Sequence, residues 1–400
     1  MTTQEPAENT IGRRVRAVRL WRRMSLTATA GLAGFSPSYL SMIERGLRRV
    51  DRRSPLESLA AALRVSPSEL TGQPYAPSAV GDDHGSAAAE ELRAVLRDIE
   101  IGALDDLVPR RHPEELRQDV TAVTAACLAS DYARLADLVP ALLAEGYRYA
   151  DRARTTEAWM LFASVLHSAF YLAKDLGHGD LAWMVASRLH RAGEAVSTPA
   201  WAALADFVRA HAVLGPGARE RALGLADRSA DTLVPDGGAA GEMFGMLNLS
   251  AALNCAVTGR PDRAREHLDE AARVAREVGE GTFAGLLFGE RNVSIWRVAV
   301  ALESGEGGRV PELARQVDVE RVPSAGRQAT FYCDVGRGLA TLRGREDDAV
   351  AAFSRAEALA PQRMRTNPYV RESISELLTR GRLGANRDLR GMAYRLGLAG

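Results

Sequence analysis

The chain has 400 residues, 46% of them hydrophobic and only 6% aromatic, which favours more than one domain and packed helices over sheets. No run of 18 apolar residues occurs, which excludes a membrane-spanning helix, and the polar N-terminal residues lack the apolar segment of a signal peptide. The formal net charge is zero, but the charges are unevenly distributed along the chain.

The first 75 residues carry an excess of positive charge. They hold 12 arginines and 6 acidic side chains, and because each class totals 51 in the chain, the remainder holds 39 basic and 45 acidic ones. This asymmetry indicates that only the N-terminal part binds a polyanion, although small domains also differ in charge by chance. Lys174 is the only lysine, so the abundance of arginine is weak evidence for phosphate binding.

The three cysteines, Cys127, Cys255 and Cys333, are far apart in the sequence and form no CxxC pair. Their number is odd, and no histidine accompanies them at metal-ligand spacing. We therefore expect buried free thiols in a reducing, cytoplasmic compartment. We expect neither a metal ion nor a cofactor.

Short, capped helices are predicted from residue 10 onwards. Thr10 precedes IGRRVRAVR, which has apolar residues on one face, and Ser25 precedes the second helix, LTATAGLA. Gly34 suits the sharp turn that follows, since no Cβ is wanted there. Ser36 then caps a third helix with Pro37 at its first position, where a missing N–H breaks no helical hydrogen bond.

The third helix has two different faces. Leu40 and Ile43 are three residues apart and are predicted to point inward, whereas the serines, the tyrosine and the arginine of SPSYLSMIER lie outside. Gly46 ends this helix, and two more helices follow the Ser-Pro pairs at 54–55 and 66–67. Five short helices with a tight glycine turn between the second and third describe a helix-turn-helix domain.

The segments IGRRVRAVR, AGFSPSYLSMIERG and LESLAAALRVSPSEL resemble the Xre/phage-repressor type of DNA-binding domain over residues 10–72. The resemblance implies that Pro37, Ser38 and Met42 approach base edges in the major groove. It places Tyr39 and Arg45 near phosphates, and the loop arginines along the DNA backbone, with Arg52 or Arg53 able to reach a minor groove. The full predicted DNA-binding set is Ser25, Thr27, Ser36, Pro37, Ser38, Tyr39, Ser41, Met42, Arg45, Arg48, Arg49, Arg52 and Arg53.

Two further positions follow from the resemblance. Arg19 and Glu44 match the residues that form a structural ion pair in such domains, and a carboxylate facing phosphates would be unfavourable. Many members carry glutamine where this chain has Leu26, so one anchoring contact is missing or is supplied by Ser25 or Thr27. Because serine, tyrosine and methionine are poor bidentate readers of bases, recognition is expected to depend on DNA shape and thymine methyl contacts.

Residues 73–90 are predicted to be a linker. The stretch QPYAPSAVGDDHGSAAA is rich in proline, glycine, serine and aspartate and has no periodic apolar face. His84 follows two aspartates, but an exposed tether explains this group better than a metal site.

Residues 91–400 show helical periodicity interrupted by glycine, proline or aspartate every 15–20 residues or so, as in an α-solenoid of antiparallel helix pairs. The segments GRPDRAREHLDEAARVAREVG (259–279) and GREDDAVAAFSRAEALAP (344–361) share a turn and a spacing of small and large apolar residues. This spacing matches the second helix of a tetratricopeptide repeat. We therefore predict an all-α chain, with a five-helix helix-turn-helix domain followed by a tetratricopeptide-like solenoid for dimerisation and for effector or partner binding.

The body resembles actinobacterial regulators that join an Xre domain to helical repeats. Two further segments that carry this resemblance are GHGDLAWMVASRLHRAGEA and NVSIWRVAVALE. The body is similar in plan to the peptide-sensing quorum regulators of Gram-positive bacteria, in which inner asparagines bind a ligand's backbone. The resemblance makes Asn248, Asn254 and Asn292 candidates for effector binding, with helix-terminal or inter-helix hydrogen bonds as the alternative. Trp296 is a further candidate, with core packing as its alternative.

No sequence signature of a hydrolase, nucleotide-binding loop, zinc protease or dinucleotide site occurs, so we expect no enzymatic activity. The leading hypothesis is a cytoplasmic homodimeric regulator that binds operator DNA and senses a peptide or small-molecule effector. The alternative is an interaction protein whose body binds a partner protein and whose N-terminal domain localises it on DNA. The sequence does not decide between them.

Overall fold

The chain is helical throughout the part that the computed structural model describes. That part contains α-helices and short 3-10 helices but no strand, which confirms the predicted all-α fold. No helix in it is both long and apolar enough to span a membrane. The described residues are 10–73, 75, 83–213, 215, 217–235, 237–380 and 387–398.

Five short helices form the N-terminal unit, which we call the head. Their apolar faces meet in one small core, in which Val15, Leu40, Ile43, Leu59 and Leu63 are completely buried. The head helices are α1 Ile11–Trp21, α2 Leu26–Ala33, α3 Pro37–Glu44, α4 Arg53–Leu63 and α5 Pro67–Thr71.

Local hydrogen bonds set the turn between α2 and α3. The hydroxyl of Ser25 accepts a hydrogen bond from the Ala28 amide at 3.1 Å and caps α2. Gly34 then takes a left-handed conformation with φ of 73°, where glycine carries no steric penalty. The hydroxyl of Ser36 accepts from the Tyr39 amide at 3.1 Å and caps α3, so each cap satisfies an amide that the helix itself leaves unpaired.

The rest of the chain, which we call the body, is an array of packed helices. Neighbours in sequence pack on each other, as α9 does on α8 and α10. The array also closes on itself, since α17 contacts α7 and α19 contacts α9. The body helices are α6 Asp83–Glu100, α7 Pro113–Ala129, α8 Tyr132–Ala153, α9 Thr156–Asp175, α10 Gly179–Val196, α11 Pro199–Ala212, α12 Ala218–Ala230, α13 Gly238–Val257, α14 Pro261–Val278, α15 Glu290–Glu303, α16 Val310–Arg315, α17 Ala325–Ala340, α18 Glu346–Leu359, α19 Pro361–Thr366, α20 Pro368–Arg380 and α21 Arg387–Arg395.

Helix α6 begins within the predicted linker. It starts at Asp83, so residues 83–90 are helical and not part of a tether; of the predicted linker before them, Pro74 and residues 76–82 lie outside the described residues. Ala88 and Ala89 are buried against the body, at 4% and 1% exposure. The helix therefore starts earlier than the glycine and aspartate residues indicated. Alanine has a high helix propensity, and packing against the body stabilises this first part of the helix.

The head packs directly against the C-terminal part of the body. Tyr369 of α20 belongs to the head core. The amide of Ile11 donates a hydrogen bond to the Glu372 carboxylate at 3.1 Å, and the Gln73 side chain donates to the Thr366 carbonyl at 2.6 Å. The two units thus share both apolar and polar contacts.

A close approach of α1 to α3 predicts the effect of a glycine substitution in the head. A Cβ on Gly12 would lie 2.0 Å from the Ile43 carbonyl oxygen, so Gly12→Ala should separate the two helices and cost about 1–3 kcal/mol. Gly31, in α2, has nothing within 4 Å of its Cβ position, and Gly31→Ala should be neutral or stabilise by up to about 1 kcal/mol. Hydrogen exchange of head amides measures both; equal protection in the two variants would contradict this packing.

Candidate nucleic-acid interface and adjoining cavity

Helix α3 has one buried and one accessible side. Leu40 and Ile43 are completely buried in the head core, while Ser36, Pro37 and Ser38 at its N-terminal end are exposed. The hydroxyl of Ser36 accepts the capping bond and keeps its own hydrogen free to donate. The predicted base-reading end of α3 is therefore open to a ligand.

The other polar residues predicted on this side are partly accessible. Ser25 and Thr27, at the start of α2, are exposed, whereas Tyr39, Ser41 and Met42 are half-buried. The Tyr39 ring makes an edge contact with Phe35, with 5.1 Å between ring centroids, which fixes the ring against the head. A ring held in this way loses little conformational entropy when it binds.

Arg19 and Glu44 join the C-terminal ends of α1 and α3. The guanidinium donates from Nε to Oε1 at 2.6 Å and from a terminal nitrogen to Oε2 at 2.8 Å. It also donates to the Met24 carbonyl at 3.0 Å. Because Glu44 is buried and both its oxygens accept from Arg19, this pair sets the angle between the two helices.

The predicted DNA-backbone arginines divide into two groups. Arg45 and Arg48 are exposed next to the C-terminal end of α3. Arg49 and Arg53 instead face the body: Arg49 lies 3.8 Å from the Glu372 carboxylate, and Arg53 is the first residue of α4 and is bonded to Glu303.

The structure therefore corrects the prediction for Arg49, Arg52 and Arg53 in this conformation. They were expected to lie along DNA in a loop, but two of the three pair with body carboxylates, and Arg53 is helical. Arg52 packs against the turn at Gly305, where a Cβ would lie 2.7 Å from its guanidinium. Their positive charge is directed towards the body and away from the exposed side of α3.

A largely buried group of side chains, the Glu303 cluster, lies between head and body. It consists of Glu303, Asp334, Arg337 and Tyr369, which are buried, and of Arg53, which is half-buried. Glu303 accepts from the Arg53 amide at 2.9 Å, from the Arg53 guanidinium at 2.5 Å and from Arg337 at 2.8 Å. Arg337 also donates to Asp334 at 2.8 Å and, from the body, to the head carbonyl of Asp51 at 2.7 Å. Both guanidinium groups lie over the Tyr369 ring, 5.4 and 4.9 Å from its centroid.

The opposite charges in this cluster stabilise each other. Burial opposes ionisation of Glu303, but Arg53 and Arg337 outweigh burial and lower the pKa of Glu303 to about 2. Glu303 is therefore ionised at every pH at which the chain is expected to function.

A cavity of about 360 Å³ lies next to this cluster. Its wall is built by α7, α9, α11, α13, α15, α17, α19 and α20, and Arg53 of the head reaches it as well. Such a volume falls within the range of small-molecule sites, at its lower end.

Asp175 organises one side of the cavity. It pairs with Lys174 and with Arg363, the latter at 2.6 Å, and accepts from the Tyr132 hydroxyl at 2.7 Å. Burial opposes its charge, but Arg363 and Lys174 lower the pKa of Asp175 to about 2. One carboxylate thus forms ion pairs with two cations.

Two of the four predicted effector residues reach the cavity. Asn292 and Trp296 are in its wall, on α15. Asn248 and Asn254 are not: their side-chain amides donate to the carbonyls of Phe244 and Ser250, four residues earlier on α13. Both asparagines lie outside the cavity wall, so this cavity does not support their predicted effector role, which stays a prediction. Asn248 also contacts His267 at 2.9 Å.

Most polar residues of the cavity were missed by sequence analysis. They come from helices far apart in the sequence, so no short motif contains them. One signal was present, because Lys174 is the only lysine of the chain and it lies in the wall. The missed charged residues and histidines are His167, Lys174, Asp175, His211, Arg327, Asp334 and Arg363.

Comparison with known proteins supports the assignment of the head. Residues 10–71 match a family described as a helix-turn-helix domain, which confirms the predicted domain type. Among solved structures the chain is similar to Bacillus thuringiensis PlcR in complex with the peptide PapR7 and DNA, with a TM-score of 0.35 and 11% identity over 95% of this chain and 100% of that one. No curated protein sequence matches the chain significantly.

The Glu303 cluster predicts a pH dependence of stability. Because the pKa of Glu303 falls from 4.5 to about 2 on folding, its contribution is complete above about pH 4.5 and is lost as the pH falls towards 2. Glu303→Gln should remove about 3 kcal/mol at pH 7 and abolish this part of the acid dependence. Urea unfolding at a series of pH values measures it.

The matched control is Glu306→Gln. Glu306 is near Glu303 in the sequence but pairs with Arg309, whose side chain is 60% exposed. This variant should unfold like the wild type at each pH. If the Glu303 and Glu306 variants showed the same pH profile, the cluster would have no role in stability.

Proposed function

We propose that the chain is a cytoplasmic, non-enzymatic transcription regulator of the Xre type that binds operator DNA as a homodimer. The observation that carries this proposal is the two-sided helix α3, anchored by Leu40 and Ile43 and open at Ser36–Ser38. The match of residues 10–71 to a helix-turn-helix domain supports it. In two heads of a dimer, the α3 helices would lie in successive major grooves about 34 Å apart.

Within a half-site the accessible groups have distinct tasks. The hydroxyls of Ser36, Ser38 and Ser41 are short donors and acceptors for base edges, and Met42 offers apolar contact to thymine methyls. Arg45 and Arg48 provide exposed positive charge beside α3 for phosphates. Because none of these residue types reads a base bidentately, DNA shape is expected to contribute much of the specificity.

We further propose that the body is a tetratricopeptide-like sensor of a peptide or small-molecule effector, and that the cavity is its binding site. The position of Arg53 supports this, since it lines the cavity and also donates to Glu303. An occupant that changes the Glu303 cluster therefore changes how firmly the head is held by the body. If the head were released from the body, Arg49 and Arg53 would no longer pair with body carboxylates and could contact DNA phosphates.

Substitution of an exposed head arginine tests DNA binding. Arg48→Ala should weaken binding to DNA from the chain's own upstream region about 3- to 10-fold and reduce the slope of log affinity against log salt by about 1. The control is Arg276→Ala, an exposed arginine on α14 of the body, which should bind like the wild type. Fluorescence anisotropy with labelled duplex measures both.

The same experiment can contradict the proposal. If the wild-type chain fails to bind this DNA, or if Arg48→Ala and Arg276→Ala have the same affinity and salt slope, α3 is not a DNA-reading helix. Native mass spectrometry of freshly purified protein reports the oligomeric state and any retained molecule. A stoichiometric protein bound to the body would favour the partner-binding scaffold over the effector sensor.

A further inference from the structure

We propose that the cavity binds a compact amphipathic molecule through a carboxylate or phosphate group, and that Arg327 is the residue that receives this anion. The inference rests on the proposed effector site and specifies the chemistry of its ligand. Three features of the wall carry it: an arginine without a carboxylate partner, an excess of positive charge, and buried hydrogen-bond donors without acceptors.

Arg327 is a cavity-wall cation with no ion pair among the residues that the structure describes. Its guanidinium donates to the Asn292 side-chain oxygen at 2.7 Å and lies 5.3 Å from the centre of the Trp296 ring. Both contacts are with neutral groups. Burial, together with the nearby Arg363, lowers the pKa of Arg327 to about 10, so the side chain remains charged at neutral pH.

The charges around the cavity do not balance. Arg53 and Arg337 are matched by Glu303 and Asp334, whereas Asp175 alone is shared by Lys174 and Arg363. With Arg327 added, four cations (Arg53, Lys174, Arg327 and Arg363) and two carboxylates (Asp175 and Asp334) line the cavity itself. Burial lowers the pKa of Lys174 and raises that of Asp334. The cavity histidines do not add to this excess, since burial lowers the pKa of both His167 and His211 to about 4.

An uncompensated buried charge is unfavourable, and proteins generally avoid it unless a ligand or a function requires it. The excess here lies on the wall of a cavity and not in solid packing. A bound anion would neutralise it, and the guanidinium is well suited to a carboxylate or phosphate because its nitrogens donate in a planar fork.

Hydrogen-bond donors without partners occur at the same place. Within the described part of the chain, Nε of Arg327 and Nε1 of Trp296 are buried and have no acceptor. The two side chains touch, so their free N–H groups belong to one small region. An indole nitrogen can only donate, which makes an oxygen-rich group the matching ligand.

The apolar part of the cavity wall indicates the character of the ligand beyond its anionic group. The wall also has apolar surface, which is supplied by Phe170, Phe207, Met246, Leu286 and Ile295. A fully polar ion would leave this surface uncovered, while about 360 Å³ is too little space for a long peptide. The ligand is therefore a small acid or phosphate ester with an apolar body, or a short peptide end of the same character.

Matched probes test the charge requirement on the full chain. Isothermal titration calorimetry would compare 4-phenylbutyrate with its neutral counterpart 4-phenylbutanamide, and phenyl phosphate would form a separate arm. We expect the acid to bind about tenfold or more tightly than the amide. A preference for phenyl phosphate over 4-phenylbutyrate would identify a phosphate site, and the opposite preference a carboxylate site.

Arg327→Gln should weaken binding of the acid much more than binding of the amide and so remove most of the difference between them. Arg321→Gln is the control, because Arg321 has a 73% exposed side chain and pairs with Asp318 at the surface. That variant should keep the wild-type preference. Equal binding of acid and amide to the wild type, a preference retained in Arg327→Gln, or no binding of any anionic probe at millimolar concentration would overturn the proposal.

A second variant separates ligand binding from a structural role. If Arg327 serves a ligand, Arg327→Met removes a half-buried charge without an ion pair from the ligand-free protein, and the Tm of this variant should equal or exceed that of the wild type. A clear fall in Tm would show that Arg327 instead holds α15 to α17. Both experiments are done without DNA, so their failure is distinguishable from a failure of the helix-turn-helix assignment.

Discussion

One buried carboxylate, that of Glu303, joins the head to the body. It lies between a guanidinium from the head, Arg53, and one from the body, Arg337. Desolvation of three charges offsets most of their attraction, so such a cluster gives little more stability than an apolar replacement would. The main effect of the cluster is to restrict the position of the head relative to the body. If the head moved while the body kept its shape, Glu303 would lose one of its two cations in a buried environment, which disfavours intermediate positions of the head.

The head could be predicted from sequence because local signals determine it. Ser25 and Ser36 cap amides three residues later, and the spacing of Leu40 and Ile43 is enough to orient α3. The start of α6 was predicted wrongly because its cause is not local. Residues 83–90 look like a tether in isolation, and only the burial of alanines against the distant body makes them helical.

The polar contacts of the site were largely unpredictable. Arg53 and Glu303 are 250 residues apart, and nothing in the sequence distinguishes Arg53 from the exposed Arg48. Buried asparagines pose the same problem, because an amide that binds a ligand and one that binds its own helix have identical sequence patterns. Asn292 on α15 lines the cavity, whereas Asn254 on α13 donates to the Ser250 carbonyl and does not. Residue type predicted the chemistry of the wall, but packing decided which residues form it.

Arg53 belongs to the head, the Glu303 cluster and the cavity wall at once. In the proposed function, DNA and an effector would therefore act on the same side chain. Linkage requires that any effect of one on the affinity of the other be reciprocal. An anion bound at Arg327 would attract Arg53 across the cavity and favour the docked head. It would thereby oppose the transfer of Arg53 to a DNA phosphate. A neutral occupant of equal shape lacks this preference and would shift the equilibrium only through packing. In the proposed function, the sign of the ligand's charge would therefore set the direction of the coupling.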